Sequence, residues 1–226
     1  AKSGANFVKF QHTNPNLISP FAKKAKYQIN NTQNSQSQKS MISKLHLDWR
    51  KAYKILIKRC KLKKIKFLTS AFSSTDYLIV DKLKLDLIKI PSGEIVNTQL
   101  LETISKSNKK ILLSTGMANI EEIKNALKIL TRQHPLTRIT LLHCVSEYPT
   151  NFKDVNLQSI NYLRNKFKVD VGLSDHSLGI EVPIAAIAFG AKVIEKHFTL
   201  SKKMNGPDHK ASLEPDEFSS MVSKIR

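Results

Sequence analysis

Two histidines stand close together in one short stretch of this chain. Residues 169–200, VDVGLSDHSLGIEVPIAAIAFGAKVIEKHFTL, hold two apolar runs, Val169–Leu173 and Ala191–Ile194. The first leads into Ser174, Asp175 and His176, the second into Lys196 and His197. A helix-like segment from Ile180 to Phe189, closed by Gly190, lies between them. Strand, helix, strand in that order predicts parallel neighbours, with both histidines at one edge of the sheet. Two imidazoles at neighbouring strand ends can share a divalent cation and leave positions open for water and substrate. Each could instead cap its strand or bond a backbone carbonyl.

Other expected strand ends carry similar chemistry. Together they supply Lys9, Gln11, Lys89, Ser92, Glu94, Ser114, Ser146, Tyr148, Ser174, His176 and His197. Lysines grouped with serine hydroxyls and turn amides suit an anion such as phosphate or carboxylate. Glu94 and Asp208 are acceptors for sugar hydroxyls or for a proton. Taken singly each has a plainer reading: a snorkelling lysine, turns at Ser92-Gly93 and Thr115-Gly116, a helix cap at Glu94.

The elements that must position these groups alternate. Strands are expected at Asn6–Gln11, Lys66–Ser70, Leu85–Ile90, Lys110–Ser114, Arg138–Cys144, Val169–Leu173 and Ala191–His197. Helices are expected at about 41–61, 76–82, 99–107, 119–133, 157–167, 180–189 and 214–225. Residues 28–40, QINNTQNSQSQKS, read as a polar loop with nothing to bury. Such alternation predicts a parallel sheet covered by helices. A doubly wound sheet would fit, but no strand leads into G-x-G-x-x-G or a P-loop. Polar groups placed just after strands point to the C-terminal face of a (β/α)8 barrel. Seven strands are visible, and Ala1–Gly4 reads as the end of a helix, so an earlier first strand is expected.

With 226 residues, 41% of them hydrophobic, the chain suits one domain. No apolar run approaches the roughly 20 residues of a membrane span, and no signal peptide is visible. Two cysteines, Cys60 and Cys144, make no disulfide framework, which suggests a cytoplasmic protein. The net charge of +19 raises nucleic-acid binding as a competing class. The lysines, however, spread along helix faces without the aromatic interleaving of a single-strand binder.

The segments VKFQ, KIPSGE, ILLSTGM, LLHCVSEYP, GLSDHSLGIEVPIAA, VIEKHFTL and GPDHKASLEP resemble, in order, the catalytic barrel of the sialic acid (N-acetylneuraminate) synthase family. That resemblance implies condensation of phosphoenolpyruvate with an N-acetylated sugar of the N-acetylmannosamine type, giving a nine-carbon sialic acid and phosphate. Legionaminic or pseudaminic acid synthases of the same chemistry are the alternative within the family. It implies a divalent ion, manganese or magnesium, on His176 and His197. Lys9, Lys89, Ser92, Ser114, Ser146 and Ser174 would hold phosphoenolpyruvate, while Gln11, Glu94, Tyr148 and Asp208 would lie near the metal or acceptor. It further implies a homodimer, with a C-terminal antifreeze-like domain giving an arginine to the partner's site. The chain would then be the barrel alone, over residues 1–226, without the family's first strand or that second domain. Such a fragment could be inactive, with Asn6–Gln11 and Ala191–His197 as unpaired edges. Thr69-Ser70-Ala71-Phe72-Ser73 replaces the family's Ser-Thr-Pro-Phe-Asp, so one carboxylate is missing, and Ser146 stands where some members have asparagine.

Overall fold

The computed structural model describes residues 1–32 and 37–226. Within them lies one sheet of seven parallel strands in sequential order, β1 (Phe7–His12), β2 (Lys66–Ala71), β3 (Leu87–Ile90), β4 (Lys110–Ser114), β5 (Ile139–Cys144), β6 (Asp170–Asp175) and β7 (Ile194–Lys196). The sheet curls until its ends face one another, since Lys9 on β1 and Glu195 on β7 are in contact. No backbone pairing joins β1 to β7 among the described residues.

Alternation along the strands divides the sheet into two faces. Outward residues such as Ile88, Ile111, Leu113, Leu141 and Val171 are fully buried against helices. These helices are α4 (Ser74–Asp81), α5 (Thr98–Ser105), α6 (Ile120–Leu130), α7 (Gln158–Phe167) and α8 (Glu181–Ala188). Burying each such side chain contributes roughly 1.5–3 kcal/mol of transfer free energy. Inward, Leu68, Leu112 and Leu142 form a smaller plug with Leu87 and Val193. Gly172 belongs to this inner layer, and a Cβ there would meet the Val193 carbonyl oxygen at 2.4 Å, so only glycine lets the chain entering β7 come this close. Two residues further along each strand, the inward positions become Ser70, Lys89, Ser114, Cys144, Ser174 and Glu195. The apolar plug is thus the floor of a polar ring.

Local signals fix the element ends. Asn119 and Glu122 close a reciprocal capping box on α6. The helix expected over 41–61 is two helices, α2 (Gln38–Leu45) and α3 (Trp49–Leu62). Asp48 breaks it, accepting from the Arg50 N–H at 3.0 Å as the cap of α3. The polar stretch expected as a loop is partly helical: α1 spans Lys26–Thr32 and α2 begins at Gln38, while 33–36 lie outside the described residues. Residues 1–4 form a turn rather than a helix end, with Gly4 N–H donating to Ala1 O at 2.9 Å and Gly4 at φ +81°. The last strand, Ile194–Lys196, is shorter than the expected 191–197, because residues 190 and 191 still bond back to α8. The chain ends in α9 (Pro215–Ile225), which buries Met221 and Val222 against Leu213.

Candidate functional site

Every group expected at strand ends lies at the C-terminal rim, because all seven strands run the same way. Lys9 on β1 and Lys89 on β3 point inward and meet a single carboxylate. Glu195 Oε2 is 2.9 Å from Lys9 Nζ, and Oε1 is 2.9 Å from Lys89 Nζ. The Ser174 hydroxyl donates to Oε1 at 2.8 Å. Burial pushes the Glu195 carboxyl upward, but Lys89 and Lys9 together outweigh that and hold it well below the usual carboxylate range. For Lys89 burial dominates, helped by repulsion from Lys9 and opposed by Glu195, and its ammonium is brought down to about 8.

Beside this cluster lies a cradle of hydroxyls. Gly116 N–H donates to Ser92 Oγ at 3.0 Å. A Cβ on Gly116 would fall 2.5 Å from Ser146 Oγ and 2.9 Å from Ser92 Oγ, so the glycine keeps that space open. The buried hydroxyls of Ser70 and Ser114 have no hydrogen-bond partner among the described residues. Unsatisfied buried donors, two ammonium groups and an open glycine together suit a phosphate-sized anion.

The two histidines close the other side. Their ring centroids are 5.4 Å apart, and the Tyr148 ring lies 4.0 Å from His176 and 5.7 Å from His197. His176 Nδ1 is 2.7 Å from the Val145 carbonyl oxygen. A proton on that nitrogen leaves Nε2 free as a ligand. Burial pushes both imidazoles down, His197 to about 3 with His176 and Lys9 adding to the effect, so both are neutral as metal ligation requires. Asp208 Oδ2 lies 3.8 Å from His197 Nδ1, while its buried Oδ1 has no hydrogen-bond partner among the described residues. Among the described residues no three His, Cys, Asp or Glu side chains form a ready metal cage. Two neutral imidazoles with an orphaned carboxylate oxygen nearby nevertheless fit a divalent ion whose other positions go to water and substrate.

The adjoining cavity has a volume of about 340 Å³. Lys9, Gln11, Tyr148, His197 and Asp208 line its deep side, and Met41, Ile42, Leu45 and Leu47 form an apolar wall. α1 crosses its mouth: Tyr27 stacks on Tyr148 at 5.0 Å, and Asn31 Nδ2 donates to Pro207 O at 2.6 Å. A larger hollow of about 590 Å³ lies at the opposite rim between the loops 81–86 and 107–109, remote from these groups.

The structure therefore brings Lys9, Lys89 and Ser174 into one bonded cluster, with Ser92 and Ser146 around Gly116 and Ser114 buried on the inner face of β4. It sets His176, His197, Tyr148 and Asp208 together and leaves Gln11 on the cavity wall. Glu94 is half-buried and accepts from Asn97 Nδ2 at 2.7 Å; among the described residues no bond ties it to the lysine cluster. Sequence reasoning missed Glu195. Its signal was the period of two through Val193, Glu195 and His197, which puts all three on the inner face.

The model of the NeuB family matches residues 1–226. N,N'-diacetyllegionaminic acid synthase of Campylobacter jejuni is 52% identical over 228 residues, covering 100% of this chain and 68% of that protein. The Legionella pneumophila enzyme of the same name is 38% identical, covering 100% of this chain and 64% of its own length. The chain thus spans about two thirds of these relatives. The crystal structure of the N-acetylneuraminic acid synthetase of Leptospira borgpetersenii in complex with citrate superposes with a TM-score of 0.86 at 31% identity, over 99% of this chain and 73% of that one.

Proposed function

Because the chain belongs to the NeuB family, we propose that residues 1–226 form the catalytic barrel of a synthase joining phosphoenolpyruvate to an N-acetylated sugar and water, releasing phosphate. One observation carries this reading: the Lys9 and Lys89 ammonium groups converge at the same rim as His176 and His197, so an enol phosphate and an aldehyde could meet between them.

On this reading Lys9, Lys89, Ser92, Ser114, Ser146 and Ser174 grip the donor's phosphate and carboxylate. Tyr148, Gln11 and Asp208 orient the open-chain sugar. His176 and His197 hold a manganese or magnesium ion, which polarises the aldehyde oxygen when bound. The donor's methylene carbon bonds to the aldehyde carbon, and the positive character left on the enol carbon is met by water. Glu94 takes a proton from that water. The resulting tetrahedral carbon then loses phosphate by C–O cleavage and becomes the ketone of the product. Holding both reactants in attack geometry supplies much of the acceleration.

The same reading closes the fold as a (β/α)8 barrel, with an eighth strand between the facing edges of β7 and β1. It takes the enzyme to be a cytoplasmic homodimer with a second domain. Within the family, a doubly N-acetylated acceptor is favoured by the names of the two relatives and by the apolar wall of Met41, Ile42, Leu45 and Leu47, which suits extra methyl groups. The test is phosphate release from phosphoenolpyruvate against a panel of mono- and di-N-acetyl sugars. Release should require a sugar, stop with chelator and return with manganese or magnesium. Release independent of any sugar, or none, refutes the proposal.

A further inference from the structure

Lys9 and Lys89 stand on strands separated by β2, on flexible four-carbon stems, yet both ammonium groups sit 2.9 Å from one carboxylate. The Ser174 hydroxyl donates to the same carboxylate at 2.8 Å. We infer that Glu195 is a positioning residue for the anionic donor, bridging Lys9 to Lys89 and anchoring Ser174 so that all three present their remaining donors at a fixed spacing. The inference rests on reading those lysines as donor ligands.

Two like charges this close in a poorly solvated ring would otherwise repel and separate. An ammonium group has three hydrogens, so one spent on Glu195 leaves others for a phosphate or a carboxylate. With Glu195 ionised, the three charges still sum to +1, and the cluster still attracts a polyanion. The carboxylate comes from β7, while its partners come from β1, β3 and β6, so it ties opposite parts of the curled sheet together at the floor of the site.

Charge and positioning predict opposite outcomes for Glu195→Gln. If Glu195 only offsets positive charge, its removal leaves +2 and tightens donor binding. If it positions the lysines, the amide can no longer accept from both of them while its NH2 confronts one, and donor binding weakens. Steady-state kinetics on the complete protein should show the KM for phosphoenolpyruvate rising roughly tenfold in Glu195→Gln, as expected for losing a hydrogen bond to a charged group. The KM for the sugar should hold within about twofold, because the acceptor is held by other residues. Combining Glu195→Gln with Lys9→Met should cost less than the product of the single effects, since both act through one contact. An unchanged or lower donor KM, or effects that multiply, overturns the inference. If Glu195→Gln does not fold, Glu195→Asp decides: it keeps the charge but is too short to span both lysines, and the same loss is expected. Calorimetric binding of phosphoenolpyruvate separates this inference from the reading beneath it. Should the wild type turn over no sugar, weaker binding by the variant still supports the positioning role. Equal or tighter binding overturns that role, and no binding to the wild type overturns both.

Discussion

Lys196→Met should destabilise the protein severely, and the structure says by how much. Lys196 Nζ is 2.5 Å from Asp175 Oδ2, and the two side chains are 0% and 2% exposed. The same ammonium donates to Ser177 O at 2.5 Å. Asp175 also accepts from the Ser177 N–H and hydroxyl, each at 3.0 Å. Burial pulls the Lys196 ammonium downward more strongly than Asp175 raises it, so the pair offsets its own desolvation rather than adding a surplus. Methionine keeps the volume but leaves a buried carboxylate without a counter-ion, a change that costs about 3–5 kcal/mol. For a chain of this size each kcal/mol moves Tm by about 2–4 °C, so a fall of roughly 6–20 °C is expected. Adding Asp175→Asn removes the stranded charge and should restore most of the loss. Thermal unfolding followed by circular dichroism measures both variants, and added salt should matter little for so buried a pair. A fall of under about 2 °C for the single variant, or a double variant no more stable than the single, refutes the reasoning. Because the pair lies directly across β6 and β7 and each member precedes a histidine, divalent-ion affinity should fall together with stability.

Gly116→Ala should leave the fold intact but push its methyl into the Ser92 and Ser146 hydroxyls, lowering kcat/KM about 10- to 100-fold through the donor; a kinetically silent variant contradicts the cradle. Lys89, at about 8 in the folded protein, should lose its proton as pH rises, so donor affinity measured by calorimetry should drop between about pH 7 and about pH 9, and a flat profile argues against Lys89 as a donor ligand. The same shift has a definite sign for stability. Between about 8 and the ordinary lysine value of 10.5 the unfolded chain holds a proton that the folded chain lacks, so this group's contribution to stability rises with pH across that window, and its penalty is complete below it. Glu94→Gln should lower kcat about a hundredfold or more with donor KM little changed, and unchanged turnover removes Glu94 from the chemistry.

Where a single local rule governs an element, the sequence alone placed it well. Lys110–Ser114 is a strand over the expected residues because an apolar run meets a turn, and Asn119 with Glu122 announces the start of α6. α1 was hidden because its seven residues bury none of their side chains, so no apolar period marks it. Tertiary contacts hold it, through Tyr27 on Tyr148 and Asn31 on Pro207. The break at Asp48 was legible as a cap but masked by the apolar spacing continuing past it. In the site, residue types at strand ends marked the lysines, serines and histidines. Glu195 escaped because attention to strand ends skips a residue two places inside one. Only the curl of the sheet, which no local pattern encodes, brings β1 and β3 to its two oxygens.

The pleat of the last strand also makes the site intolerant of changes in length. Deleting or inserting one residue among 191–194 would turn the following residues over. Lys196 would then face Lys9 and Lys89, while Glu195 and His197 would be turned into the layer under the helices. Three positive charges would crowd one ring, and an acid and an imidazole would be stranded in oil. Substitution can tune this segment residue by residue, but any change in its length must come in steps of two.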